Sequence, residues 1–241
     1  MIVQACLNGA RPKDYHRRLP VTVEAVVDDA AESVAAGAAE IHVHVRGPGG
    51  AESLEPEVVD VTLAALRSRL PGTLIGISTG AWIERDDDRR LAMIAGWGEL
   101  PDYASVNLKE RAAPAVIERL HRRGIGVEAG LTSVADAERL VRLRLGPLTF
   151  RILIEIDEQA LDEATSVADG ILAVLTGAGL RKPVLLHGFD ATVWPFVECA
   201  ARQRFSTRVG LEDGSRLPDN TIAPSNAALV AAAVAMTHRA S

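Results

Sequence analysis

Short apolar runs alternate with longer stretches of helical periodicity along all 241 residues of the chain. The runs predict strands over 2–8, 40–46, 73–78, 103–107, 125–130, 150–156, 183–187 and 207–211. Amphipathic stretches, among them 22–36, 57–70, 112–123, 133–145, 161–177 and 194–204, lie between them, the charged segment at 85–90 reads as a further helix start, and a last helix is predicted over 225–238. Thr22 and Ser133 stand where helix N-caps are needed. Strand followed by helix, eight times, is the pattern of a (β/α)8 TIM barrel. A doubly wound open sheet shares the parallel strands and crossovers, but the count of eight favours the barrel. The punctuation at 47–50, 70–72 and 181–183 is tight, so a single α/β domain over residues 1–241 is expected.

Strand side chains alternate between faces, so each predicted strand sorts by parity. Ile41, Val43 and Val45 share one face, and His42 and His44 share the other. Ala104 and Val106 oppose Ser105 and Asn107, and Val209 and Leu211 oppose Arg208, Gly210 and Glu212. The apolar parity is expected under the helices and the polar parity in the lumen. That places Asn8, His44, Ser78, Asn107, Glu128, Glu155, His187 and Glu212 at the C-terminal rim, where barrels of this kind carry their sites.

Composition narrows the class. With 48% apolar residues and a net charge of −6 the chain folds, burying roughly 70–75% of its surface. No basic excess suggests nucleic acid, and no apolar run approaches the ~20 residues that span a bilayer. Two cysteines, Cys6 and Cys199, exclude a disulfide scaffold. Without a signal-peptide pattern, a cytoplasmic location is expected. Walker and dinucleotide fingerprints are missing.

The sharpest local feature is His42-Val43-His44. Two imidazoles two residues apart on a strand stand ~7 Å apart on one face, within reach of one ion. Glu212 on the inward parity of the last strand supplies a carboxylate, and two histidines with one carboxylate suit a catalytic divalent metal. Zinc is the first choice, with manganese or iron as options. Arg208, four residues before Glu212, is either a structural bridge or part of the site; Asp213 is a general-base candidate. Arg11 is placed to hold a substrate carboxylate, or is a solvated loop residue. His16, His121 and His238 are expected at the surface, and Arg85–Arg90 as a solvated helix start.

The chain resembles the β-keto acid cleavage enzymes, a (β/α)8 family. The resemblance rests on Leu-Asn-Gly-Ala at 7–10, Ile-His-Val-His-Val-Arg at 41–46, Ile-Ser-Thr-Gly at 77–80 and Ser-Val-Asn-Leu at 105–108. Arg-Val-Gly-Leu-Glu-Asp at 208–213 and Pro-Ser-Asn-Ala-Ala-Leu-Val at 224–230 complete it. It implies a zinc-dependent reaction in which a β-keto acid and acetyl-CoA give acetoacetate and a new CoA thioester. His42, His44 and Glu212 would hold the metal, and Asp213, oriented by Arg208, would take the α-proton. Ser78 would lie near the reacting oxygens, with Asn8, Arg11, Ser105, Asn107 and Glu128 around the substrate. Members acting on amino-substituted substrates carry an acidic residue where this chain has Arg11, which implies a neutral or acidic keto-acid side chain. A homo-oligomer, dimer or tetramer, is also implied. The alternatives are a metal-dependent lyase, aldolase or hydrolase acting without CoA on a small carboxylate, and a non-catalytic barrel that binds a small molecule.

Overall fold

The computed structural model describes residues 1–239. Eight strands form one parallel sheet: β1 (Val3–Cys6), β2 (Glu40–Val43), β3 (Leu74–Ser78), β4 (Tyr103–Asn107), β5 (Gly126–Leu131), β6 (Arg151–Ile156), β7 (Val184–Gly188) and β8 (Thr207–Val209). The order β7-β6-β5-β4-β3-β2-β1-β8 follows the chain around a ring. The last seam closes through a bridge between Leu185 and Ser206, the residue just before β8. Around the ring lie α1 (Val23–Ala35), α2 (Pro56–Arg69), α3 (Asp87–Gly96), α4 (Ala113–Arg122), α5 (Val134–Arg142), α6 (Leu161–Gly177), α7 (Val193–Gln203) and α8 (Asn226–Arg239). The fold is the expected TIM barrel, and no helix among the described residues is long and apolar enough to cross a membrane.

Local chemistry sets the helix starts. Thr22, Asp86 and Ser133 each accept a backbone N–H of the first turn, and α2 and α4 carry proline there. The charged segment at 85–90 therefore does begin a helix, but Arg90 is not solvated. It is fully buried, 3.0 Å from Asp87 and 3.7 Å from Glu110. His16 also departs from expectation. It is buried, accepting Arg18 N–H at Nδ1 and lying 3.0 Å from Ala223 O through Nε2.

The parity division holds. Ala5, Ile41, Ile75, Ala104, Val127, Ile152, Leu186 and Val209 face the helices in one apolar cluster. The opposite parity fills the lumen. Tyr103 crosses it over Gly76, where a Cβ would overlap the ring, and donates its hydroxyl to Ile41 O at 2.8 Å. Beneath the rim, Arg151 bonds both Glu40 and Glu128, and Gln4 donates to Glu40 at 2.8 Å. Burial pushes the Glu40 carboxyl up against the pull of Arg151. The apolar stretch of α8 is explained by packing against α1, α7 and β1, with Leu229, Val230 and Ala233 buried.

The start of α8 is pinned by Asn226, which accepts Leu211 N–H and donates to Leu7 O and to Asp29 of α1. Burial raises the Asp29 carboxyl from 3.8 to about 7, with the Asn226 hydrogen bond opposing it. Between these values the unfolded chain is ionised while the folded one keeps its proton, so stability falls as pH rises from about 4 to 7. Asp29→Asn keeps the acceptor for Asn226 and removes that dependence. Urea denaturation should show the variant gaining roughly 2–4 kcal/mol on the wild type between pH 4.5 and 8.

Candidate active site

The C-terminal end of the barrel opens into a cleft of about 520 Å³ whose walls include Arg11, His44, Trp82, Asn107, Lys109, Glu155, Phe189 and Glu212. β2 carries His42 and ends at Val43, so His44 stands just beyond its last residue. The two imidazole rings meet edge to face, centroids 5.3 Å apart. Their Nε2 atoms lie 4.0 and 3.4 Å from Glu212, and one donor atom from each of the three residues falls within 4.8 Å of the others.

Glu212 is not on a strand. β8 stops at Val209, and the chain turns through 210–214, with Asp213 N and Gly214 N both donating to Gly210 O. A side chain at Gly210 would overlap Cys6 O, so glycine is required there. The turn brings the neighbouring Glu212 and Asp213 to one cation: Arg208 Nη2 donates to Glu212 Oε1 at 2.7 Å and to Asp213 Oδ1 at 2.8 Å. Arg11 fastens the turn from outside, donating to Glu212 O at 2.9 Å and to Asp190 at 3.2 Å, with its guanidinium over the Tyr15 ring. Gly9 adopts φ +54°, and a Cβ there would overlap the Glu212 side chain.

Electrostatics separate the two carboxylates. Burial alone would raise Glu212, but Arg208, His44 and His42 hold it well below the usual range. Asp213 is pushed up by burial in spite of Arg208. Burial drives His42 far down, whereas in His44 it is outweighed by Glu212 and Glu52, giving about 9. His187 falls to about 4, through burial and then Arg208. Its ring nitrogens lie 3.5 Å from Asp213 and 3.6 Å from Glu155.

A divalent cation suits this donor set. Two imidazole nitrogens and a carboxylate kept ionised converge on one point, where a cation would take the place of the proton that Glu212 and Glu52 hold on His44, and Glu212 Oε2 is buried without a hydrogen-bond partner.

Other expected residues land differently. The Asn8 amide is spent on the backbone, donating to Pro20 O and His44 O and accepting His44 N–H. It therefore holds His44 in place, and no substrate contact is left to it. Glu128 is fully buried beneath the rim and tied to Arg151, because β5 runs on to Leu131 and leaves Gly130 at the top. Ser78 is buried and accepts Gly80 N–H, and Ser105 pairs with it in register. Asn107 lines the cleft and donates to Glu110 at 3.4 Å. Glu52, Trp82 and Lys109 were missed; they sit on loops, where no periodicity marks them.

A family model described as beta-keto acid cleavage enzyme matches residues 1–241. The 3-oxoadipate:acetyl-CoA acetyltransferase of Cupriavidus necator is 24% identical over 98% of this chain and 87% of its own length. The 3-keto-5-aminohexanoate cleavage enzyme of Acetoanaerobium sticklandii is 33% identical over 38% of this chain and 34% of its own. Among solved structures, a binary complex of ObcA with oxaloacetate superposes with a TM-score of 0.72 at 16% identity. That match covers 89% of this chain, which spans only 62% of the ObcA chain.

Arg208→Met should leave two buried carboxylates without their shared cation and destabilise the protein by roughly 3–5 kcal/mol in urea titrations. Asp213→Asn should cost far less, since Glu212 keeps its arginine.

Proposed function

As the chain belongs to the beta-keto acid cleavage enzyme family, we propose that it condenses a β-keto acid with acetyl-CoA and cleaves the adduct to acetoacetate and a new CoA thioester. The observation that carries this reading is the coincidence of a full-length family match with the His42–His44–Glu212 cluster beside Asp213. A divalent ion, zinc in this reading, held by those three residues would polarise the keto and carboxylate oxygens of the substrate as a Lewis acid.

The chain's own groups supply the rest. Arg208 holds Asp213 through Oδ1, while Oδ2 has no hydrogen-bond partner. Asp213 Oδ2 takes the proton from the carbon between the keto and carboxylate groups. Its raised pKa brings this base nearer the working pH. The carbanion attacks the acetyl thioester carbonyl and CoA leaves as thiolate. The thiolate adds to the original keto carbonyl, and the carbon–carbon bond to the former α-carbon breaks. The proton on Asp213 returns to that carbon, giving acetoacetate and restoring the carboxylate. In this reading Ser78 would stand near the reacting oxygens, and Ser105 and Asn107, the latter on the cleft wall, would line the substrate's path.

Arg11 and Lys109 on the cleft wall favour a neutral or anionic keto-acid side chain. The Cupriavidus relative, named for the dicarboxylate 3-oxoadipate, fits that preference. Homo-oligomeric assembly and a cytoplasmic setting belong to the same reading.

The test is acetoacetate formation from a panel of β-keto acids, with and without acetyl-CoA and a chelator. Turnover should require both acetyl-CoA and metal; turnover of the keto acid without acetyl-CoA would favour a lyase or hydrolase. Asp213→Asn should lose about 10²–10⁴-fold in rate. Arg11→Glu should shift preference from anionic towards cationic keto acids, and an unchanged preference would remove Arg11 from the specificity argument.

A further inference from the structure

Behind His44 lies a carboxylate that the reaction does not use. The chain leaves β2, turns through Gly47-Pro48-Gly49-Gly50 and returns, so that Glu52 pairs antiparallel with Arg46. The turn is closed by Gly47 N donating to Ala51 O at 2.8 Å, and Gly50 takes φ +79°. Arg46 latches it to the end of β1, donating to Gly50 O, Gly9 O and Arg11 O. Glu52 is thereby folded back on His44, with Oε1 2.5 Å from Nδ1. Its other oxygen accepts the indole N–H of Trp82 at 2.9 Å, and the Trp82 ring stacks on the His44 imidazole, centroids 6.1 Å apart and 23° from parallel. Gly80 makes room for that indole, since a Cβ there would overlap it.

We propose that Glu52 and Trp82 are positioning residues for the metal ligand His44, a role that rests on the metal reading above. Glu52 accepts the Nδ1–H and keeps that proton in place, which leaves Nε2, on the Glu212 side of the ring, as the nitrogen that would give up its proton to the metal. Trp82 holds Glu52 by its second oxygen and covers one face of the imidazole. The ring is then fixed from three sides: Asn8 on its backbone, Glu52 at Nδ1 and Trp82 on its face. His42 differs, because its Nδ1 is buried with no hydrogen-bond partner. The two histidines should therefore contribute unequally oriented ligands, with His44 the pre-set one.

The test is zinc affinity of the full-length protein, measured by competition with a chromophoric chelator, together with ¹⁵N–¹H NMR of the histidine side chains. Glu52→Ala should weaken zinc binding about 10- to 100-fold and abolish the downfield Nδ1–H resonance of His44. Glu52→Gln keeps an acceptor for Nδ1–H but loses the one for the indole, so it should recover part of the affinity. Trp82→Phe, which preserves the stacking, covers the case in which Glu52→Ala does not fold; it should bind zinc several-fold more weakly, and wild-type affinity there counts against the proposal. Wild-type affinity in Glu52→Ala, with His42→Ala deficient, overturns the role of Glu52 and leaves the metal site standing. Unchanged affinity in both overturns the metal site and this role with it.

Discussion

Arg208, sealed from solvent in the lumen, is shared by Glu212 and Asp213 at 2.7 and 2.8 Å. Removing one partner of such a buried set leaves uncompensated charge and costs several kcal/mol, so the three groups must arrive together. Much of the surrounding backbone serves that requirement. β8 ends early, Gly210 passes against Cys6 O, Asn226 ties Leu211 to the start of α8, and Arg11 braces the turn from outside. The same turn aims Glu212 at the two histidines of β2.

The lumen repeats one electrostatic arrangement at two depths. In the lower layer Arg151 is shared by Glu40 and Glu128; in the upper layer Arg208 is shared by Glu212 and Asp213. Each layer thus holds more carboxylates than guanidinium groups. Below, the surplus is met by burial, which raises Glu40, and by neutral donors such as Gln4. Above, Glu212 stays ionised and faces two imidazoles, so the surplus charge lies where a divalent cation is proposed. The same arrangement thus serves as a closed layer beneath the rim and, at the rim, as the flank of the proposed metal site.

The barrel could be read from the chain because alternation has a period of two and every strand keeps it. Parity predicts that His42, His44, Ser78 and Arg208 face inward, and they do. Parity carries no information on depth, however, and that is where Glu128 is misplaced: β5 continues past it, so it lies beneath the rim with Arg151. Asn8 is misplaced for another reason. A rim position shows that an amide can meet substrate, but not that the backbone of His44 and Pro20 has already taken its donors and acceptor. Arg90 and His16, expected outside, are drawn in by partners distant in sequence, Glu110 and Ala223.

The amino-acid sequence alone determined the eight-unit barrel and the inward pair of histidines, because strand alternation encodes both; it also singled out Glu212, but by a strand parity that the chain abandons at Val209, and the turn after β8 is what brings that carboxylate to the histidines. Only the tertiary structure decided that adjacent residues Glu212 and Asp213 both face one arginine, since consecutive side chains on a strand would diverge and a turn is what brings them together. It likewise decided that Glu52 stands behind His44. That contact depends on a loop folding back on its own strand, a three-dimensional fact with no period to betray it.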